Sequence, residues 1–324
     1  MNKTSDVYEK LYHYTTWDGL LGILKTQTLW ATHCRFLNDY SEIVLFRDKL
    51  VSLILPHVRE PYEKLVKQSP HIGQQINQSG GVGENVQHDA EIVIDAMYRA
   101  TGNEIYILSF CGQHKASYVN NNGLLSQWRS YGSGGGFALV FDTLRLEEIL
   151  EVEAKRFQYS HMHLSDLIYS DDEDRLKAEL SEDLSVIAND VRNLFDPTKP
   201  TVEEKDLKSF TEFVNCVSRY KHCGFSEENE VRAVILPTII DREYLDLAKT
   251  DGTTLKPEKE RKFREKNGQL VPYIELFNAP DTELPIEKII VGPHKDKEAR
   301  AATLRVMLRN TRIEITCSDI PFTG

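Results

Sequence analysis

The stretch Leu11-Tyr12-His13-Tyr14-Thr15-Thr16, with Leu20, Leu21, Ile23 and Leu24 behind it, opens a strand-to-helix unit in this chain of 324 residues. The six residues are apolar and β-prone and end in hydroxyl side chains suited to capping a helix. The leucines and isoleucine that follow repeat at helical spacing and predict about two turns of helix. Leu29-Trp30-Ala31-Thr32 then predicts a second strand and Asn38-Asp39 a turn. At the far end of the chain, residues 230–236, 270–275, 287–291 and 312–317 are strand candidates, with one helix over 296–309. Strands at both ends with helical material between them predict an α+β fold. Its mixed or antiparallel sheet is completed by the N- and C-terminal parts and surrounded by helices.

The middle of the chain reads less regularly. Apolar spacing is helical from Ser41 to about Leu55, and Pro56 and Pro61 bracket a break. Residues 68–84 are rich in Gln, Gly, Ser and Asn, the composition of a loop or mobile lid. Val86, Ala90, Val93, Met97 and Ala100 share one helical face, and 104–110 is a strand. Asn120-Asn121-Asn122-Gly123 is a turn, and Gly132-Ser133-Gly134-Gly135-Gly136 is a bend entering a strand at 137–141. Windows 147–195 and 203–222 read as helices split by a linker at Pro197 and Pro200. The expectation is one domain, 1–324, with a mobile loop at 68–84 and an acidic helical insert at about 147–222.

Apolar residues make up 40% of the chain and charged residues 27%, the mix of a soluble globular protein. No apolar run approaches the roughly 18–20 residues that a membrane span needs, and the opening Met1-Asn2-Lys3-Thr4-Ser5-Asp6 predicts no secretory signal. Five cysteines without a CxxC pair predict no disulfide framework. A reduced, cytoplasmic protein without a membrane partner is expected. The net charge of −11 is uneven: thirteen Asp/Glu against four Lys/Arg fall in 147–190, whereas 288–312 holds seven Lys/Arg against two Asp/Glu. Local field governs binding, so a polyanion on the second window stays open. Both windows also read as solvated helix faces.

Cys216, His222 and Cys223 lack the spacing of a zinc site, and no metal is expected. No G-x-S-x-G elbow is present, and the Gly132–136 bend has neither the Walker ending nor the dinucleotide spacing. Three clusters carry more. His13 and Tyr14 bring a ring nitrogen and a hydroxyl to a strand end beside Thr15, able to hold a small ligand or simply to pack in the core. Trp128 and Tyr131, three apart on a helical turn, could stack on a planar ring or fill the interior. In Phe225-Ser226-Glu227-Glu228-Asn229-Glu230-Val231-Arg232, an extended 228–232 would send Glu228, Glu230 and Arg232 to one side. Buried carboxylates there need a partner such as Arg232, or they stand ready to stabilise a cationic sugar centre.

The strings at 11–16, 28–32, 37–39 with Glu42, 108–111, 125–132 continuing to 142, 225–232, 291–293 and 318–321 occur in an order that resembles a widespread bacterial family named only as a domain of unknown function. That family is distantly similar to ADP-ribosyltransferases, and in its first motif to toxins that ADP-ribosylate DNA. The resemblance implies a split mixed or antiparallel sheet around an NAD cleft, with NAD as co-substrate and no metal. His13, with Tyr14 and Thr15 beside it, would hold the adenosine-side ribose or the nicotinamide amide, and Tyr131 or Trp128 would stack on nicotinamide. Glu230 would be the catalytic glutamate, Glu228 the base toward the acceptor, and Arg35 a pyrophosphate or acceptor residue. The implied activity is transfer of ADP-ribose to a macromolecule, nucleic acid before protein, by a toxin or phage-defence effector restrained by a neutralising protein. The alternatives are an NAD glycohydrolase using the same glutamate, and a ligand-binding module without catalysis.

Overall fold

A computed structural model describes residues 3–37, 40–101, 104–132, 134–170, 172–195, 209–240, 242–252, 254–280 and 282–321. The expected turn at Asn38-Asp39, the linker at Pro197 and Pro200, the side chain of Glu42 and the bend residue Ser133 lie outside them. In chain order the first elements are β1 (Lys10–Thr15), α1 (Trp17–Thr26), β2 (Leu29–His33), α2 (Tyr40–Gln68), α3 (Pro70–Gln78), α4 (Gly81–Thr101), β3 (Tyr106–Gly112) and α5 (Ser117–Asn122). Next come α6 (Leu125–Tyr131), β4 (Phe137–Asp142), α7 (Thr143–Arg156), β5 (Tyr159–Asp166), β6 (Ile168–Tyr169), α8 (Glu173–Glu179), α9 (Ser181–Phe195) and α10 (Phe210–Arg219). The last are β7 (Tyr220–Lys221), β8 (Glu230–Pro237), α11 (Arg242–Asp251), β9 (Lys262–Lys266), β10 (Gln269–Leu276), β11 (Ile286–Val291), α12 (Lys297–Met307) and β12 (Glu314–Cys317). The fold is α+β with a mixed sheet.

The chain divides into two compact units. The sheet unit comprises Met1–His33, Tyr106–Leu167 and Phe225–Gly324, and the helical unit Cys34–Ile105 and Ile168–Gly224. In the sheet unit ten strands follow the order β12-β11-β4-β1-β3-β2-β10-β9, with β8 and then β5 joined to β3. β11 and β12 are parallel and the other neighbours antiparallel. Alternation along β1 sorts its side chains between two cores. Leu11 joins Phe110, Leu139, Phe141, Val231 and Ala233 under Leu20 of α1, Leu146 of α7 and Leu304 of α12. Tyr12 and Tyr14 pack on the opposite face with Val140, Ile290 and Trp128 of α6. Each fully buried aliphatic chain contributes roughly 1.5–3 kcal/mol, which fixes the register, because a one-residue slip would exchange the two faces.

Strand β3 is where the sheet forks. One of its edges pairs with β8 from Tyr106↔Ile235 to Cys111↔Glu230. The other edge is shared: β1 takes the C-terminal end through Leu11↔Gly112 and Tyr12↔Cys111, and β2 takes the N-terminal end through Thr32↔Ile107 and His33↔Tyr106. Residues 108–110 pair with neither strand on that side. The end of β1 and the start of β2 therefore peel away around Ser109, and α1 connects them.

The helical unit corrects several expectations. Residues 68–84 are not a loop: α3 and the start of α4 occupy them, anchored by Ile76 and Val86 in the interior. Composition misled because a helix that buries few side chains can be polar elsewhere. Helix α2 also runs unbroken through Pro56 and Pro61. A mid-helix proline loses one backbone bond and clashes with the preceding turn, but buried Leu50, Leu53, Ile54 and Val58 hold the helix across that cost. The expected insert at 147–222 is placed differently too. Helix α7 and strand β5 belong to the sheet unit, and β5 pairs with β8 where a helix was expected. The helical unit instead combines 34–105 with 168–224.

Candidate functional site

The fork brings together the end of β1 and its surroundings. Where β1 leaves β3, the His13 ring takes over from the missing ladder bond: Nδ1 lies 3.1 Å from the Ser109 carbonyl oxygen. A carbonyl can only accept, so Nδ1 carries the proton. Burial lowers the pKa of this imidazole, and in the neutral ring Nε2 is then a bare acceptor. Phe110 holds the ring edge-on, with centroids 5.8 Å apart. Thr16 caps α1 by accepting from the Gly19 N–H at 3.3 Å, and Thr15 pairs with Phe137 at the exit of the glycine bend. That bend is tied down by Arg300 of α12, which donates to the carbonyls of Gly134 and Gly135.

Tyr14 and Trp128 meet on the other face as core partners. Their rings are T-shaped at 4.8 Å, and the Tyr14 hydroxyl accepts the Leu124 N–H at 2.8 Å. Trp128 is 2% exposed and donates from Nε1 to the Asn122 carbonyl at 3.0 Å. Three glycines make room for it. A Cβ at Gly123, where φ is +77°, would sit 2.5 Å from the indole, and those at Gly292 and Gly132 would approach it to 2.9 and 3.2 Å. Of the two readings of Trp128, the structure shows the buried one: the ring packs edge-on against Tyr14 and is almost removed from solvent. Tyr131, at the end of α6, is 45% exposed and offers the accessible ring. The expected turn at 120–123 is the end of α5, closed at Gly123.

Glu230 starts β8 and is 6% exposed. Arg232, two residues on and on the same face, donates Nε–H to Oε1 at 2.8 Å and a second N–H to Oε2 at 3.2 Å. This fork-on-fork geometry supplies the counter-charge that a carboxylate so far from water requires. Glu228 does not follow the same alternation. It ends a 3₁₀ turn over Cys223–Glu228, and Asn229, at φ +46°, turns the chain in the left-handed region before β8 begins. The expected extended run of 228–232 is corrected accordingly. Asn229 holds this corner by donating to the Gly112 and Gln113 carbonyls at 3.1 and 3.3 Å and accepting from the Tyr8 hydroxyl at 2.9 Å.

Ladder pairing sets the mutual placement. Val140, Tyr12, Cys111 and Glu230 are successive cross-strand neighbours on one face. His13 alternates with Tyr12 and leaves β1 on the other face, so His13 and Glu230 flank β3 from opposite edges and opposite sides. Sequence reasoning did not single out Tyr12 and Cys111. Burial and the neighbouring Cys111 push the Tyr12 phenol up to about 12, and the Cys111 thiol donates to the Glu228 carbonyl. Only the long-range ladder reveals this row. Arg35 lies exposed on the turn Cys34–Phe36 in the helical unit, away in assignment from the rest of the expected set.

Several cations of the basic window 288–312 are engaged within the chain. Lys288 pairs with Glu314, Lys297 donates to the Ser318 carbonyl, Arg300 holds the glycine bend and Arg305 donates to the Ile315 carbonyl. Among the described residues no group of three metal-ligating side chains gathers, and no helix is long and apolar enough to cross a membrane. A family model described as "Protein of unknown function (DUF2971)" matches residues 127–233, which run from α6 through β4, α7 and β5 into β8. No curated protein and no solved structure matches the chain.

Proposed function

We propose that the chain is an NAD-dependent ADP-ribosyltransferase that modifies a macromolecule, nucleic acid before protein. Its setting would be that of a cytoplasmic toxin or defence effector held in check by a neutralising protein. The observation that carries this reading is Glu230: a carboxylate almost removed from water at the mouth of an otherwise apolar strand, aimed by Arg232. The forked sheet with His13 at its branch point supports it, as does the ADP-ribosyltransferase resemblance of the motif order.

On the opposite side of the sheet from Glu230, His13 offers Nε2 as an acceptor for the adenosine-side ribose, and Tyr131 offers an exposed ring for the nicotinamide plane. Bound NAD supplies a glycosidic C–N bond whose electron pair leaves with neutral nicotinamide. Glu230 stabilises the cationic sugar carbon as charge develops there, an electrostatic role that is strong because the carboxylate is fixed and dry. Glu228 accepts the proton of the acceptor nucleophile as its lone pair forms the new bond to that carbon.

A second reading has its own observation. Arg232 occupies both oxygens of Glu230, which suits a structural pair inside a ligand-binding module without catalysis. Incubation with labelled NAD and whole-cell extract, followed by nuclease or protease, separates the readings. The transferase reading expects label in a nuclease-sensitive band that Glu230→Gln abolishes; a protease-sensitive band moves the acceptor to protein. Free ADP-ribose equal to the NAD lost would identify a glycohydrolase. NAD left intact by wild type and variant alike would leave the binding module.

A further inference from the structure

Beyond Glu230, the same face of the sheet carries a cation whose surroundings lack a counter-charge. Thr32 pairs with Ile107 and with Tyr273, so Trp30, Thr32 and Tyr273 share the face that bears Tyr12 and Glu230. Arg264 of β9 joins them from the next strand. Its guanidinium donates to Thr32 Oγ1 at 3.0 Å and lies 5.2 Å from the Trp30 ring centroid and 5.8 Å from that of Tyr273. Its Nε is buried without a hydrogen-bond partner. Among the described residues no carboxylate pairs with it, while its neighbours Arg261 and Lys262 are each matched by a glutamate. Burial disfavours the charged form of Arg264, a penalty that an anion would relieve.

The aromatic half is equally particular. Trp30 is 39% exposed, though Leu29 and Ala31 beside it are buried. Tyr273 holds its ring at 4.4 Å with a 32° tilt, so the indole is fixed before any ligand arrives and loses little freedom on binding. It stands where β2 leaves the fork. An immobilised, exposed indole selects a planar ring, and an unmatched guanidinium beside it selects a phosphate.

We infer that Trp30, Tyr273 and Arg264 form a binding site for a nucleobase and its phosphate, supplied by a free nucleotide or by a nucleotide within a single strand. The base stacks on the exposed part of Trp30 and the phosphate pairs with the charge of the Arg264 guanidinium. The inference does not depend on catalysis at Glu230.

Isothermal titration of the full chain, without NAD, with ADP and separately with a 12-nucleotide single strand of DNA or RNA tests it. Binding of ADP identifies the free nucleotide as source, and binding of the oligonucleotide alone identifies the strand. Trp30→Ala and Arg264→Gln are each expected to weaken binding about ten-fold or more. Trp30→Phe keeps a ring and most of the affinity, and guards against loss of fold. The titration reads binding without NAD turnover, so failure of the transferase reading leaves this result untouched. The inference is overturned if neither ligand binds, or if Trp30→Ala or Arg264→Gln binds as wild type does.

Discussion

Replacing Arg232 by Met removes the counter-charge of Glu230 while keeping most of the side-chain volume. The two side chains are 2% and 7% exposed and share two bonds of 2.8 and 3.2 Å. Taking one partner from so dry a pair leaves a charge with neither water nor a cation, a loss of about 3–5 kcal/mol. For a unit of this size each kcal/mol shifts the midpoint by roughly 2–4 °C, so the Tm measured by circular dichroism should fall by about 6–20 °C. The double variant Glu230→Leu with Arg232→Met removes both charges and should recover most of that loss, because two apolar chains in the same space need no partner. Thermal melts of wild type, both single variants and the double variant complete the cycle. A fall below about 2 °C for Arg232→Met, or a double variant no better than that single one, would refute the claim that burial makes the two groups interdependent.

Further outcomes follow from other contacts. Lys259 is buried against Glu153, bonds Asn278 at 3.1 Å and lies 4.0 Å over the Phe157 ring; Lys259→Met should lower stability by about 3 kcal/mol, read from the urea midpoint. Gly123→Ala would push a methyl into the Trp128 indole at a positive φ, with an expected loss of about 1–3 kcal/mol and a matching drop in Tm. His13 has its pKa lowered by burial from an ordinary value of 6.5. Its contribution is therefore full above that value and is lost as pH falls through the lower folded value. Tm should fall on acidification below pH 6.5 more steeply in wild type than in His13→Gln, where a side-chain amide still reaches the Ser109 carbonyl. Asn229→Gly keeps the left-handed corner but removes three side-chain bonds, so transfer should drop several-fold with NAD affinity little changed, as measured by steady-state kinetics beside titration.

Elements were legible where local pattern and tertiary need coincide. β1, β4, β8 and β11 are runs of apolar and β-branched residues bounded by turns, and the predicted strands match them to within a few residues. β9 escaped notice because Lys262-Phe263-Arg264-Glu265-Lys266 is the charged composition that protects a sheet edge. β5 was lost because His161, His163 and Asp166 sit inside an acidic window whose average charge suggested a solvated helix. The fork at Ser109 depends on pairing between residues 73 to 101 positions apart, such as His33 with Tyr106 and Leu11 with Gly112, which no local window contains. The Glu230–Arg232 pair was readable from i, i+2 alternation, but Glu228 was not, since one left-handed residue, Asn229, reverses the count. Trp128 suits ligand or core equally by sequence; its burial depends on the close approach of Gly292, which is distant in the chain, as well as of the nearby Gly123.

The measurement that bears most directly on the central claim is release of nicotinamide from NAD by purified wild type and Glu230→Gln in the presence of extract. Chromatography would quantify nicotinamide while mass spectrometry follows ADP-ribose on the acceptor. The account predicts nicotinamide release by wild type, matched by ADP-ribose on a macromolecule, and loss of both in Glu230→Gln at a temperature where circular dichroism shows the variant folded. Equal release by the two proteins, or none by either, would contradict it.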